Sequence, residues 1–237
     1  LAGDDNNTRD EYWEQKRQEQ AAQRAEAERI KTDRLKTSAA RHQDWTSFVK
    51  GSFLTDEHRQ DMLNRGYTPE LIEKSQARST TRHGGGRVIP VLDYRGSMVG
   101  GQVIQGKGKG KPWYGASDTN KLKETGEIPL TVIYPDQPTE MVVTDKLTGS
   151  SQLHGYTAYV ESTGDKPWLC AHNLNMVTIG SSTIGSQPID LERTVKGIKA
   201  KFGWDEAVHI LMADAGSVLN KQVMTCYRNL NRQLHGQ

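Results

Sequence analysis

The stretch Val208-His-Ile-Leu-Met-Ala-Asp-Ala-Gly216 decides the fold class of this chain. Five apolar-rich residues are followed by an acid and two small residues, which is typical of a buried strand that ends in a polar loop. The pattern predicts a strand from Val208 to Met212 with Asp214 just beyond its carboxyl end. A helix is expected over residues 218–234, which follow this loop.

Two further apolar strands are predicted upstream, at residues 141–144 and 176–179. Helical segments are predicted between the strands, at residues 150–160 and 190–201. The resulting order is β-α-β-α-β-α, which favours an α/β domain built on a parallel sheet with right-handed crossovers.

Polar side chains follow each predicted strand. Asp145, Ser181 and Asp214 come after the first, second and third strands, and ligands bind at the carboxyl ends of such sheets. We therefore expect Asp145 and Asp214 to form a catalytic, Mg²⁺-binding pair, because Mg²⁺ prefers carboxylate oxygens. The alternative is that each aspartate only caps the helix after it.

Residues 51–138 predict a small α+β subdomain. A helical hairpin opens it, with Thr55 as the first N-cap and Thr68-Pro69 starting the second helix. Strands at 88–92 and 98–105 then form a β-hairpin, and a further strand is expected at 129–134. A helical hairpin is compatible with DNA reading, but such hairpins are more often packing units.

Residues 1–50 form a charged extension. From Arg9 to Val49 the sequence contains no proline or glycine and is rich in Glu, Gln, Lys, Arg and Ala, which predicts one long helix. Its apolar residues do not sustain a heptad repeat, so a coiled coil is disfavoured. The segment is either a solvated helix or an arm that binds a partner.

Several basic and aromatic residues suggest contacts with nucleic acid. A Gly-Lys repeat followed by Trp-Tyr could bind phosphates and stack on bases, although a solvated hairpin loop is equally consistent. The predicted nucleic-acid contacts are Lys107, Lys109, Lys111, Trp113, Tyr114, Lys146, Lys221 and Arg228.

Composition excludes several other classes. The net charge is only +2, so local clusters rather than the sum would bind a nucleic acid. The two cysteines, Cys170 and Cys226, form no CxxC pair, and the histidines show no HExxH spacing, which disfavours zinc sites. No apolar run reaches the length of a membrane span, and the expected location is the cytoplasm.

The stretch from Val88 to Gln102, followed by Lys111-Pro-Trp-Tyr, resembles the entry to the polymerase core of DnaG-type primases, which precedes a TOPRIM domain. Residues 50–237 are also similar to the DUF3854 family of cyanobacterial plasmid and phage proteins. The similarity is carried by Leu54-Thr-Asp-Glu-His and by the Met212-Ala-Asp-Ala-Gly-Ser-Val-Leu-Asn-Lys-Gln-Val pattern.

This resemblance implies a TOPRIM-like domain at residues 139–237 and a role in replicating a plasmid, phage or other mobile element. The implied activity is Mg²⁺-dependent nucleotidyl transfer on single-stranded or primer–template DNA, with a helicase or another replication protein as partner. The alternatives are a catalytically degenerate module that binds nucleic acid or protein, and a nuclease with the same fold.

The sequence departs from the TOPRIM pattern at both acidic signatures. The family has Glu-Gly after its first strand, where the predicted elements place Asp145-Lys146. It has Asp-x-Asp after its third strand, where Asp214-Ala215-Gly216 keeps one carboxylate. With two acids at most, a two-metal site is disfavoured.

Overall fold

A computed structural model describes the fold of residues 13–26, 37–81, 84–105, 121–181, 183, 185–214 and 220–235. In these ranges the helices are α1 (residues 13–26), α2 (Ser38–Lys50), α3 (Asp56–Asn64), α4 (Pro69–Ser75), α5 (Asp165–Leu174), α6 (Pro188–Phe202) and α7 (Lys221–His235). The strands are β1 (Arg78–Thr80), β2 (Gly86–Leu92), β3 (Met98–Ile104), β4 (Thr131–Ile133), β5 (Glu140–Thr144), β6 (Ser151–Val160), β7 (Val177–Gly180) and β8 (Glu206–Met212).

The N-terminal helical run is not one continuous helix, so that prediction is wrong. Thr37 is extended, with φ −64° and ψ 155°, and its hydroxyl accepts a hydrogen bond from the Ala40 amide. Thr37 is thus an N-cap, and α2 begins anew at Ser38. Trp45 and Val49 of α2 are buried in a cluster with residues of β2 and β3.

The predicted helical hairpin is confirmed as α3 and α4. The Thr55 hydroxyl accepts from the His58 amide, and the Thr68 hydroxyl accepts from the Leu71 amide at 3.1 Å. Pro69 occupies the first turn of α4. Gly66 adopts φ +95° in the turn between the helices, a conformation that side chains other than glycine rarely adopt.

The predicted β-hairpin is also confirmed. Strands β2 and β3 pair antiparallel, with Val88 opposite Val103, and β1 adds a third antiparallel strand beside β2. This three-stranded sheet is covered by α2, whose Trp45 indole lies directly over Gly101.

A mixed five-stranded sheet forms the C-terminal part of the chain. Strands β6, β7 and β8 run parallel, with α5 and α6 as the connections and α7 at the end. The β-α-β-α-β-α order is therefore present, but it begins at β6. Strand β5 is a preceding antiparallel strand that forms a hairpin with β6.

The prediction of a helix over residues 150–160 is wrong, because Ser151–Val160 is strand β6. Tyr156, Thr157 and Tyr159 are aromatic or β-branched residues that favour a strand. Their preference agrees with a central position in the sheet, where neighbours on both sides satisfy the backbone.

Strand β6 has neighbours along both of its edges. Residues 154–160 pair with β8 along one edge. On the opposite edge, residues 151–155 pair with β5 and residues 157–160 pair with β7. Strand β4 pairs antiparallel with β7. It therefore belongs to the second sheet, although its residues fall within the predicted α+β subdomain of residues 51–138.

Two apolar clusters join these layers. The larger one contains buried residues of β4, β6, β7, α6 and α7, among them Tyr159, Ile179, Leu191, Ile198 and Leu230. A second cluster packs Trp168 and Ala171 of α5 against Met62, Ile72 and Ile89 of the α+β subdomain. Helix α5 therefore packs against residues that belong to both sheets. Among the described helices, none is long and apolar enough to cross a membrane.

Replacement of Gly155 by alanine tests the assignment of residues 151–160. In β6 the added Cβ would overlap the Trp204 indole, so we expect a loss of about 1–3 kcal/mol in the free energy of unfolding. In a helix the same change would be stabilising by up to about 1 kcal/mol. Urea unfolding distinguishes the two signs. Gly51→Ala is the control, because its Cβ meets only ordinary contacts.

Candidate functional site

The carboxyl ends of the three parallel strands meet at one edge of the second sheet. Val160, the last residue of β6, pairs with Gly180 of β7 and with Met212 of β8. Glu161 and Ser181 follow directly, and Asp214 comes two residues after Met212. This edge is where the chemistry of parallel sheets is usually found.

Asp145 does not lie at this edge, so the predicted pair of Asp145 with Asp214 is wrong. Asp145 follows the antiparallel strand β5, where Thr144 pairs with Ser151 at the start of β6. Val160 is nine positions after Ser151 along β6, which is about 30 Å at roughly 3.3 Å per residue. Ligand bonds of about 2.1 Å cannot bridge that separation.

Asp145 instead stabilises the turn between β5 and β6. Its Oδ1 accepts hydrogen bonds from the amides of Leu147 and Thr148, and these bonds hold the pKa of the carboxyl below its usual value. Lys146 lies exposed in the same turn. Lys146, one of the predicted nucleic-acid contacts, is therefore at the opposite end of β6 from Asp214.

Glu161 is the acidic residue that the sequence reasoning missed. It follows the central strand β6, whose end is level with the end of β8. The missing signal was the strand character of residues 156–160, because the parallel sheet was counted from β5, one strand too early. Counted from β6, Glu161-Ser162 follows the first parallel strand and Asp214 follows the third.

Tyr227 of α7 is affected by the charges of both Glu161 and Asp214. The Tyr227 hydroxyl donates a hydrogen bond of 3.1 Å to the Met212 carbonyl. Burial raises the pKa of this phenol to about 12, and the negative charges of Glu161 and Asp214 add to the effect. This agrees with the strand register, which places both residues just beyond the ends of adjacent parallel strands.

Lys166 brings a positive charge to the same edge. It is the second residue of α5, and its Nζ forms an ion pair with Oδ2 of Asp214. The two side chains are 40% and 52% exposed, so the pair is worth only about 0–1 kcal/mol. An incoming anion or cation can therefore displace one partner at little cost.

A partly buried ionic cluster anchors the N-terminus of α5. Arg87 of β2 donates to Asp165 of α5 at 2.5 Å and also contacts Asp61 of α3. Arg65 lies 3.5 Å from the same Asp165 carboxylate, and the Tyr67 hydroxyl donates to its other oxygen at 3.2 Å. The cluster thus fixes the helix that carries Lys166 to the α+β subdomain.

Burial and neighbouring charges together shift the pKa values of residues in this cluster. The Arg87 side chain is only 2% exposed. Partial burial opposes ionisation of Asp61, but the hydrogen bond from Arg65 and the charges of Arg87 and Arg65 outweigh it and lower the pKa of Asp61. Burial and the neighbouring Asp165 charge raise the pKa of Tyr67, so its phenol stays protonated.

Apart from Lys146, the predicted nucleic-acid contacts divide into two groups. Lys107, Lys109, Lys111, Trp113 and Tyr114 lie outside the residues that the structure describes. Lys221 and Arg228 are both exposed on α7, which begins beyond the carboxyl end of β8 and therefore on the side of Asp214. These two stay consistent with a surface that extends from the acidic edge.

The described residues contain no group of three or more His, Cys, Asp or Glu side chains that could hold a metal ion. Residues 215–219, which follow Asp214, include no further acid in the sequence. Glu161 and Asp214 are thus the acidic pair that this edge offers.

A scan against protein-family models found none that matches the chain, and searches of curated proteins and of solved structures likewise returned no match. The resemblance to TOPRIM and DUF3854 proteins therefore continues to depend on the residues quoted for it.

Replacement of Arg87 by methionine tests the role of the ionic cluster. The change leaves the largely buried Asp165 carboxylate without its main partner, so we expect unfolding free energy to fall by about 3–5 kcal/mol. Arg65→Met is the control, because Arg65 is 39% exposed and should cost about 0–1 kcal/mol. Equal losses in urea unfolding would show that the buried arginine has no special role.

Proposed function

We propose that this protein is a primase-like, TOPRIM-type module that acts in DNA replication of a plasmid, phage or other mobile element. In this proposal it binds single-stranded or primer–template DNA and performs Mg²⁺-dependent nucleotidyl transfer. The observation that carries the proposal is that Glu161 and Asp214 follow adjacent parallel strands at one edge of the sheet.

The corrected strand order brings the chain nearer to the TOPRIM pattern. Glu161-Ser162 now follows the first parallel strand, where the family has Glu-Gly, so the glutamate is kept and only the small residue differs. Asp214 keeps the first acid of the second signature, while Gly216 stands in place of the second acid. The resemblance therefore supports one acidic pair rather than a full set of metal ligands.

The donor set at this edge fits a single Mg²⁺ ion. Mg²⁺ in phosphate-transfer sites is commonly held by one or two carboxylates together with substrate phosphates and water, and Glu161 and Asp214 supply two hard oxygen ligands. When bound there, the ion would neutralise phosphate charge and activate a hydroxyl.

The chain's own residues would prepare the same edge for phosphate. Lys166 offsets the Asp214 charge in the absence of substrate and offers an ammonium group to a phosphate once Asp214 is engaged elsewhere. The raised pKa of Tyr227 keeps its phenol neutral, so that it remains a donor to Met212 and holds α7 against the end of β8.

The second candidate is a catalytically degenerate module that binds nucleic acid or a partner protein. The Lys166–Asp214 ion pair favours it, because an ammonium group already neutralises one of the two carboxylates. Salt-dependent DNA binding without Mg²⁺-dependent turnover would support this alternative.

A template-dependent primer-synthesis assay tests the acidic pair. Glu161→Gln and Asp214→Asn should each lower turnover at least about 100-fold, because each removes a carboxylate worth several kcal/mol of charge stabilisation. Asp145→Asn is the matched control, since it removes the same charge at the opposite end of β6 and should leave turnover unchanged. Activity retained in Asp214→Asn, or lost in Asp145→Asn, would refute the assigned site.

Titration of Mg²⁺ tests the competition between Lys166 and a metal ion. Lys166→Gln should strengthen Mg²⁺ binding up to about fivefold, because an exposed ion pair worth about 0–1 kcal/mol no longer has to be displaced. Isothermal titration calorimetry gives the affinity, and Lys196→Gln on α6 is the charge-matched control. If neither the native protein nor the Lys166 variant binds Mg²⁺, the degenerate module is the better description.

A further inference from the structure

Helix α7 carries a basic stripe on one exposed face. The stripe consists of Lys221, Thr225, Arg228, Arg232 and His235, whose spacing of four and three residues keeps them on one side of a helix. All five are exposed, and the helix contains no acidic residue. Its three permanent cations are not offset by any acid of the same helix, so this face is locally positive.

Helix stability does not account for this stripe. Arg232 and His235 lie in the last turn, where cations favour the helix dipole, but Lys221 is the first residue, where a cation is disfavoured. Neither Lys221 nor Arg228 has an ion-pair partner within the part of the chain that the structure describes. The two lysine and arginine charges are therefore available to an external anion.

A groove of about 510 Å³ runs beside the stripe. Leu211 of β8 and Met224 and Tyr227 of α7 give it an apolar lining, while Arg228, Asn231 and Arg232 border it with polar groups. Two residues of the stripe are thus also part of the groove. An apolar floor with guanidinium groups at its border complements an unstacked nucleotide, which has a flat base and an anionic phosphate.

The stripe leads away from the acidic edge. Tyr227 lines the groove, and its hydroxyl donates to the carbonyl of Met212, two residues before Asp214. From Lys221 to Arg232 the helix rises by about 16 Å at roughly 1.5 Å per residue, which matches about five phosphates of one stacked strand at roughly 3.4 Å each. A strand on α7 would therefore reach the site from which transfer is proposed.

We infer that α7 is the track for a single nucleic-acid strand, with Lys221, Arg228 and Arg232 on its phosphates and the neighbouring groove accepting an unstacked base. The inference rests on the proposed function for the direction of the strand, but not for its binding. It extends the sequence-based contacts at Lys221 and Arg228 to Arg232 and to the groove.

Salt dependence of binding tests the phosphate contacts. A fluorescein-labelled oligothymidylate long enough to span α7 is titrated by anisotropy over a potassium chloride series, with EDTA present so that metal binding plays no part. Arg228→Gln/Arg232→Gln should reduce the slope of log affinity against log salt by about 1.4, at roughly 0.7 per phosphate contact, and weaken binding roughly tenfold or more.

Lys50→Gln/Lys196→Gln is the charge-matched control, because it removes two exposed cations from other helices and should leave the slope unchanged. Equal slopes for the two double variants, or absence of oligothymidylate binding by the native protein at low salt, would overturn the inference. Thermal melting checks that each variant is folded, which the exposure of both arginines favours.

Met224→Trp tests the groove separately. The larger side chain fills the groove without changing charge, so binding should weaken while the salt slope stays the same. A duplex of equal length that competes as strongly as unlabelled oligothymidylate would overturn the assignment of a single strand. The reason is that a paired base cannot enter the groove.

These results are separable from those for the proposed function. Oligothymidylate binding that depends on α7, without any Mg²⁺-dependent turnover, would uphold the track and refute nucleotidyl transfer. Turnover that depends on Glu161 and Asp214, with binding indifferent to Arg228 and Arg232, would refute the track and uphold the transfer.

Discussion

The hydrogen-bonded ladders of β6 hold the second sheet together. Seven consecutive residues of β6 pair with β8, while β5 and β7 divide the opposite edge between them. This register sets which side chains share an edge of the sheet, because a shift of one residue would move every side chain of a strand to the other face. The neighbourhood of Glu161 and Asp214 is therefore a consequence of how β6 and β8 pair, and neither residue creates it alone.

The parts of the fold that local chemistry determines were predictable from the sequence. Thr55 and Thr68 cap α3 and α4 as expected, since a hydroxyl before a helix satisfies an amide that the helix leaves unpaired. The β2–β3 hairpin was predictable for a related reason, because two apolar strands flank a turn at Asp93–Gly96. In each case the residues that decide the structure are within a few positions of one another.

The error at residues 150–160 had a different origin. Strand β6 begins with polar and exposed residues and ends with buried ones, so its sequence lacks the even alternation of a half-buried strand. Two of its three partner strands, β7 and β8, are distant in sequence. Once β6 was taken for a helix, β5 became the first strand of the sheet, and Asp145 took the place that belongs to Glu161. The position of Asp214 beyond a strand end was predicted correctly, because it depends only on the strand directly before it.

In the proposed function, Lys166 and Mg²⁺ would compete for the carboxylate of Asp214. An ammonium group carries one charge and is held by an exposed ion pair of small free energy, whereas the proposed Mg²⁺ ion would carry two charges and engage Glu161 and Asp214 together. The backbone of Lys166 is held at this edge, because the neighbouring Asp165 is fixed to the buried Arg87. The same anchor that keeps Lys166 at the edge would hold its ammonium close to a phosphate there. The Lys166–Asp214 ion pair, which favours a catalytically degenerate module, would thus also suit the binding of a phosphate substrate.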